Sequence, residues 1–437
     1  VLATFVADDA LLAPAGATRV AYLAASLRAL DAELDGALHV RHGEPAAALG
    51  ELAASVGART IVATADYAPY GRRRDLRVAA RLAAAGVEVL FVDSPYAVAP
   101  GTLHGREGRP LRVFSAFHRA WLAREVPDPL AAPHPGPWRR VPGDGIDLLA
   151  LAARRVPDRF AGLPAGPAPE LPPAGERAAR TLLDGFATRV ERYDELRDRP
   201  GADGTSRLSA ALRFGALHPR QVLAELAGDS RARERLVAEL AWREFYADVL
   251  WHHPASARED LSAQLRGLRV DTGPRARERF RAWALGQTGF PLVDAGMRQL
   301  LREGWMHNRV RMVSASFLVK HLHLDWRWGA RWFMWRLVDG DLASNQHGWQ
   351  WVAGTGTDAA PFHRVFNPTL QAERFDPDGV YVRRYVGELA ALAAPACLAP
   401  GGGPSASGYP APLVDAASER REALARLARA RAVRGAS

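Results

Sequence analysis

The chain predicts an α/β domain with a parallel sheet, followed by a larger all-helical domain. Three observations carry this. Short strand-like runs alternate with amphipathic stretches over residues 1–93, helical periodicity alone follows residue 176, and a Pro/Gly-rich segment lies between. Strands separated by helices imply parallel neighbours and right-handed crossovers. At 437 residues the chain exceeds one typical core, so two domains are expected.

The expected strands are residues 2–7 (LATFVA), 37–40 (ALHV), 60–65 (TIVATA) and 87–93 (VEVLFVD). Helical stretches at 18–34, 45–56 and 72–85 fill the gaps between them. No Gly-x-Gly-x-x-Gly run follows a strand, so the sheet announces no dinucleotide site. Residues 126–175 (PDPLAAPHPGPW, GLPAGPAPELPPAG) are too rich in Pro and Gly to pack a core and read as a linker. Helices are expected at 176–196, 208–226, 232–251 and 296–323, and a terminal one at 418–432 after a second Pro/Gly/Ser stretch. The expected domains are therefore 1–125, the linker 126–175, and 176–437.

With 48% hydrophobic and 24% charged residues, the composition is that of an ordinary globular protein. Net charge is +9, which favours a polyanionic partner, although the bias to Arg over a single lysine, Lys320, weakens that reading. Cys397 is the only cysteine, which excludes an internal disulfide framework and a multi-cysteine metal site. No apolar run approaches a membrane span and no signal peptide is visible, so the expected location is cytoplasmic.

Ten of the twelve tryptophans fall between Glu239 and Trp351, in blocks that mix indole with Asn, Arg, Glu and His. The blocks are ELAWREFY (239–246), GWMHNRVRM (304–312) and DGDLASNQHGWQW (339–351). An ordinary core would carry Leu, Ile and Val there, since a buried polar group needs a partner. Indole beside amide and guanidinium suits a flat, polar, aromatic ligand. Glu239 and Trp242 are three apart and share a helix face; a solvent Glu beside a core Trp is the plainer alternative. Trp305, Asn308 and Met312 are read onto one face, flanked by Arg309 and Arg311. Asp339 and Asp341 bracket Gly340 and are a metal-binding or acid–base pair, or equally ordinary caps. Thr205, Ser206 and Ser209 in GTSRLSAAL begin a helix, where hydroxyls either bind phosphate or simply cap. His321 and His323, two apart, do not share a helical face and are not read as metal ligands.

Taken in order, GTSRLS, ELAWREFY, GWMHNRVRM, DGDLASN and WQWVAGTGTDAAPF resemble the photolyase/cryptochrome flavoprotein family. The likeness runs along the whole chain, is densest over 193–368, and is greatest to bacterial class I cyclobutane pyrimidine dimer photolyases. It implies FAD held in the helical domain. Tyr193 and Thr205, Ser206, Arg207, Leu208 and Ser209 match phosphate and ribityl contacts. Asp339, Gly340 and Asp341 match isoalloxazine contacts, Arg311 the arginine paired to the first aspartate, and Asn345 the residue facing the flavin N5. The lesion pocket carries over as Glu239, Trp242, Asn308, Met312 and Trp351, and the DNA contacts as Arg197, Arg243, Arg309 and Gln371. Met312 argues against the (6-4) photolyases, which resemble this chain less because they carry histidine there.

The resemblance further implies light-driven electron transfer to a dimer flipped out of UV-damaged DNA, by a monomer that needs no metal. A cryptochrome-like photoreceptor that binds FAD without repair is the alternative. Trp349 and Trp326 match the proximal and middle members of the family's tryptophan relay, but Gly273 stands near the terminal one and no Trp occurs from 252 to 282. The family also begins with a further strand–turn–helix, so the first strand of the sheet is expected to be missing. A second antenna chromophore is left unassigned; Glu107 alone matches a folate contact.

Overall fold

The structure, a computed structural model, describes all residues except 131–136, 144–159, 161–162, 164–167, 263–264, 266–267, 358–363, 400–407 and 436–437. Much of the expected linker lies outside the described residues. The chain forms two compact units: one of 1–159, 172–190 and 206–254, the other of 160–171, 191–205 and 255–437.

The first unit holds strands β1 (Thr4–Ala7), β2 (His39–His42), β3 (Thr60–Ala63) and β4 (Glu88–Phe91). All pairings are parallel, with Thr4 opposite His39 and Thr60 opposite Glu88. The expected single sheet is corrected to two two-stranded pairs, β1–β2 and β3–β4. A cavity of about 480 Å³ lined by Phe5, Val6, Leu23, Ile61 and Val89 touches both pairs, and within the described strands β1 and β3 do not hydrogen-bond to each other. Strands β1, β3 and β4 are also shorter than their apolar runs, and β2 is shifted two residues along from its run, because ladder pairing extends only where a partner strand runs alongside.

The helices of this unit are α1 (Asp9–Leu12), α2 (Ala17–Glu33), α3 (Pro45–Val56), α4 (Pro69–Ala84), α5 (Phe114–Leu122), α6 (Glu176–Ala187), α7 (Ser209–Phe214), α8 (Pro219–Leu226) and α9 (Arg231–His252). Helix α3 shows why its bounds were legible: Pro45 opens it, the Glu44 carboxylate accepts from Ala47 N–H at 2.9 Å, and Gly57 closes it at φ +69°. The helix expected over 208–226 is broken. Gly215 takes φ +72° and ends α7, and Pro219 starts α8 behind a His218 capping box. Two buried carboxylates of α9 bind the loop after β4. Glu244 accepts from Ala97 N–H (2.6 Å), Val98 N–H (2.9 Å) and Trp121 Nε1–H (2.6 Å), and Asp248 accepts from Gly101 N–H (2.7 Å). Burial pushes the pKa of both upward against these donors.

The second unit is helical: α10 (Gly273–Ala284), α11 (Pro291–Glu303), α12 (Asn308–Lys320), α13 (Trp326–Arg336), α14 (Leu342–Ala353), α15 (Pro368–Phe375), α16 (Val380–Tyr385) and α17 (Ala416–Gly435). The helix expected over 296–323 is two helices. Gly304 turns left-handed at φ +62°, and His307 then caps α12 by accepting from Arg309 N–H at 3.2 Å. The terminal helix α17 is held by a hydrogen bond between Glu419 and His323 Nε2 (2.7 Å) and by ion pairs of Glu419 with Arg279 (3.5 Å) and of Arg426 with Asp271 (2.7 Å). No described helix is long and apolar enough to cross a membrane.

His321, just past α12, is 1% exposed, stacks on Phe317 at 5.2 Å, and its Nδ1 has no hydrogen-bond partner among the described residues. Burial, with His323 and Lys320 nearby, pushes its pKa down to about 4. The folded state therefore binds fewer protons than the unfolded chain, whose histidine titrates near 6.5. Stability from this group is complete above pH ~6.5 and lost as pH falls toward about 4, by roughly 3 kcal/mol in all. Urea midpoints measured across this range should show the loss, and His321→Asn should remove most of it. An unchanged pH profile in that variant would locate the acid sensitivity elsewhere.

Candidate functional site

Two of the three Trp-rich blocks meet within the second unit. Val338 N–H donates to the Gly304 carbonyl at 2.7 Å, joining the turn before α12 to the turn before α14. Arg311 on α12 reaches across this junction. Its Nη2 donates to Asp339 Oδ2 at 2.8 Å and its Nε to the Met306 carbonyl at 2.8 Å. The other Asp339 oxygen, Oδ1, is buried and has no hydrogen-bond partner among the described residues. A buried carboxylate oxygen left open is costly unless a donor arrives. Asp341, expected as either cap or chemical group, is the N-cap of α14 and accepts from Ser344 N–H at 2.8 Å.

Asp341, Asn345 and Trp349 fall at i, i+4 and i+8 and so share a stripe of α14. The Asn345 amide nitrogen donates to the Ala330 carbonyl (3.1 Å) and to Gln346 Oε1 (2.9 Å). Both amide hydrogens are spent, so the carboxamide oxygen is presented as an acceptor. Trp349 seats its six-membered ring on Gly329 of α13, where any Cβ would collide with it. It also meets Phe333 at 5.0 Å and Trp283 at 6.1 Å, both edge-on. Trp326, the first residue of α13, donates its indole N–H to Asp260 Oδ1 at 2.8 Å.

Asn308 and Met312 share a face of α12, with the amide nitrogen 4.0 Å from the sulfur. Trp305 does not join them: the helix begins at Asn308, so Trp305 lies in the preceding turn, 6.0 Å from the Arg311 guanidinium. Trp351 is half-buried near the end of α14. Arg309 grips Asp198 Oδ1 through Nη2 (2.9 Å) and Nε (3.2 Å) and lies 4.4 Å over the Phe375 ring. Arg197, next to Asp198, lies 5.3 Å over the buried Tyr193 ring, and Gln371 sits one turn before Phe375 on α15. Thus Arg197, Arg309 and Gln371 gather around Asp198 and Phe375, and Arg309 arrives already paired.

The remaining residues lie in the first unit. Glu239 and Trp242 are on α9 at the expected spacing of three. Trp242 is stacked on Phe114 of α5, centroids 3.7 Å apart and planes within 6°, and meets Phe245 edge-on at 5.6 Å. Arg243, expected as a DNA contact, turns inward: it donates to the Pro95 (3.3 Å) and Leu212 (3.4 Å) carbonyls and covers the Tyr96 ring at 4.6 Å. The GTSRLS hydroxyls are not helix caps. Arg207 takes φ +52°, and Leu208 is the N-cap of α7 with no side-chain cap bond. Ser206 Oγ accepts from Leu208 N–H at 3.4 Å, and Ser209 opens the helix. Thr205 belongs to the second unit. The end of the WQWVAGTGTDAAPF block, 358–362, lies outside the described residues.

Sequence reasoning missed Phe114, Glu244 and Asp260. Their partners lie 128, 123 and 66 residues away, counting Trp242, Trp121 and Trp326. No local pattern marks them, because only the fold makes them neighbours.

Residues 1–135 match the DNA photolyase family, and residues 236–429 match the FAD binding domain of DNA photolyase. The chain is 39% identical to a deoxyribodipyrimidine photo-lyase of Halobacterium salinarum, covering 99% of this chain and 92% of the relative. It is 40% identical to the enzyme of that name from Streptomyces griseus, covering 99% and 93%. Among solved structures it is similar to a bacterial class III photolyase from Agrobacterium tumefaciens, with TM-score 0.85, 34% identity, and coverage of 98% and 92%.

Proposed function

The chain belongs to the DNA photolyase family, and we propose that it splits cyclobutane pyrimidine dimers in DNA using light. FAD is its cofactor, and the residues present fit that group. The observation that carries the reading is the Arg311–Asp339 pair, whose second carboxylate oxygen is buried and open. That oxygen suits a ring N–H, and the Asn345 oxygen suits a second one. FAD, when bound and reduced, supplies the electron that light promotes. Arg311 aims the Asp339 carboxylate, while the neutral Asn345 amide imposes no charge beside the ring. Tyr193, Thr205, Ser206, Arg207, Leu208, Ser209, Gly340 and Asp341 are proposed to hold the rest of the cofactor.

Glu239 and Asn308 would read the polar edges of the pyrimidines, with Met312 beside Asn308. Trp242 and Trp351 would stack on the flipped dimer. Photolyases are a standing example of enzymes that extrude their target from the stack, at a cost of a few kcal/mol. A crosslinked dimer stacks and pairs poorly, so its extrusion costs less than that of an intact base. Phe114 fixes one face of Trp242, which spares the indole ordering entropy when the other face binds. Arg197, Arg309 and Gln371 would meet the DNA backbone, consistent with the net charge of +9. Arg243 supports the Trp242 helix from within. The working division is 1–125 for the antenna domain, 126–175 for the linker and 176–437 for flavin and lesion binding. Met312 and Asn345 favour a class I enzyme; the likeness to a class III photolyase makes that class the second reading.

Protein loaded with reduced FAD should remove thymine dimers from an oligonucleotide in blue light and not in the dark. Trp242→Ala should weaken binding to dimer-containing DNA roughly 10- to 100-fold, as base–aromatic stacking is worth about 1–3 kcal/mol per base. Undamaged DNA should be little affected. Retained flavin with no light-dependent loss of dimers would move the assignment to a photoreceptor.

A further inference from the structure

We propose that Asp260 is the proton acceptor that ends an electron relay at Trp326. The inference rests on the flavin reading above and adds a residue to it. Trp326 and Trp349 occupy neighbouring helices. Trp349 is seated on Gly329, one turn along α13 from Trp326. Trp326 is buried, and its Nε1–H donates to Asp260 Oδ1 at 2.8 Å. The Asp260 side chain is 18% exposed, and its Oδ2 lies 3.2 Å from Arg327 Nη2. The guanidinium of Arg327 also lies 4.7 Å over the Trp326 ring.

These contacts decide what happens to a hole that reaches Trp326. A cation held over the indole face disfavours positive charge on the ring, and a buried unpaired charge is costly in any case. An oxidised indole is a far stronger acid than the neutral one, and a carboxylate is already on its N–H. One electron passes from Trp326 to oxidised Trp349, which returns to the neutral indole. The Nε1–H bond of Trp326 breaks, and its proton goes to Asp260 Oδ1. The products are a neutral indolyl radical at Trp326 and a neutral carboxylic acid at Asp260. The electron that Trp349 gives up would be accepted by oxidised flavin when that cofactor is bound. With the proton gone, return of the hole from Trp326 to Trp349 is uphill and electron return must wait for reprotonation, so no further tryptophan is required. A thiol reductant in solution later restores Trp326 with one electron, and the proton returns from Asp260.

Transient absorption and EPR after a laser flash on the oxidised holoprotein test this. The wild type should form a long-lived neutral indolyl radical. Asp260→Asn keeps a hydrogen-bond acceptor but cannot take the proton; it should lower the yield of that radical at least tenfold and leave a short-lived cation. Asp260→Glu should restore it. Arg327→Gln, which breaks the same ion pair without removing the acceptor, should retain the neutral radical. In flavin-free protein the Trp326 Nε1 proton resonance should move upfield in Asp260→Asn, which reports the hydrogen bond without photochemistry. An undiminished neutral radical in Asp260→Asn, or a wild-type radical that stays cationic, overturns the proposal. The flavin reading is tested separately, by the flavin spectrum and by dimer repair with chemically reduced wild type.

Discussion

Replacing Trp349 by Phe is expected to abolish photoreduction of oxidised flavin while leaving repair by chemically reduced protein intact. On the proposed reading, repair would draw its electron from the reduced cofactor and return it there, so it would need no relay. Photoreduction needs a donor in contact with the ring, and Trp349 shares the α14 stripe of Asp341 and Asn345. Two exits then compete for the hole. Trp326 has a carboxylate on its indole N–H. Trp283 lies 6.1 Å from Trp349 and continues through Phe280 (5.7 Å) to Trp328 (5.6 Å). Yet Trp283 is fully buried and its N–H donates to the Ser314 carbonyl, which cannot take a proton. A cation stranded there costs several kcal/mol, whereas a neutral radical at Trp326 does not. Trp332, whose Nε1 is buried without a partner, is no better placed. Trp326→Phe should therefore slow photoreduction more than tenfold, and Trp283→Phe should change it by less than about twofold, since a 1.4 kcal/mol difference is already a factor of ten. A fast Trp326→Phe variant that Trp283→Phe then disables would establish the second route instead.

Arg311→Ala is expected to lose flavin and stability together. The side chain of Asp339 is 3% exposed, and Arg311 is the only partner of its carboxylate among the described residues. Removing one member of a buried pair costs about 3–5 kcal/mol, and the partial exposure of Arg311 reduces this to about 2–3 kcal/mol. Flavin affinity should fall by at least tenfold, because the carboxylate loses the partner that aims it. Asp339→Asn with Arg311→Ala removes the stranded charge and should recover most of the stability but not the affinity. Denaturant midpoints and flavin titration of both variants check this. A double mutant that regains neither would mean that Arg311 acts through its bond to the Met306 carbonyl.

Local chemistry made much of this protein legible in advance. Parallel strand–helix alternation, α3 with its Pro and Gly bounds, and the ordered Trp-rich blocks were readable because each rests on neighbours within a few residues. Spacing placed Glu239 with Trp242 and Asn308 with Met312, since helical geometry turns i+3 and i+4 into contact. The same reasoning ran two helices into one at Gly215 and Gly304, where a periodic apolar pattern continues through a left-handed turn. It left the GTSRLS hydroxyls open between caps and phosphate contacts, and the φ of +52° at Arg207, which takes them out of the capping position, is invisible in composition.

What the sequence by itself determined, then, is the element types, the family likeness and the candidate site residues. Tertiary structure alone decided how those residues are used. It split the parallel strands into two pairs, stacked Phe114 on Trp242, turned Arg243 inward and set Asp198 on Arg309. It left one oxygen of Asp339 open and put Asp260 on the Trp326 indole. The reason is physical: secondary structure follows from short-range sterics and hydrogen bonding, whereas the state of a charge or an indole depends on whichever groups the packed chain brings against it, tens of residues away in sequence.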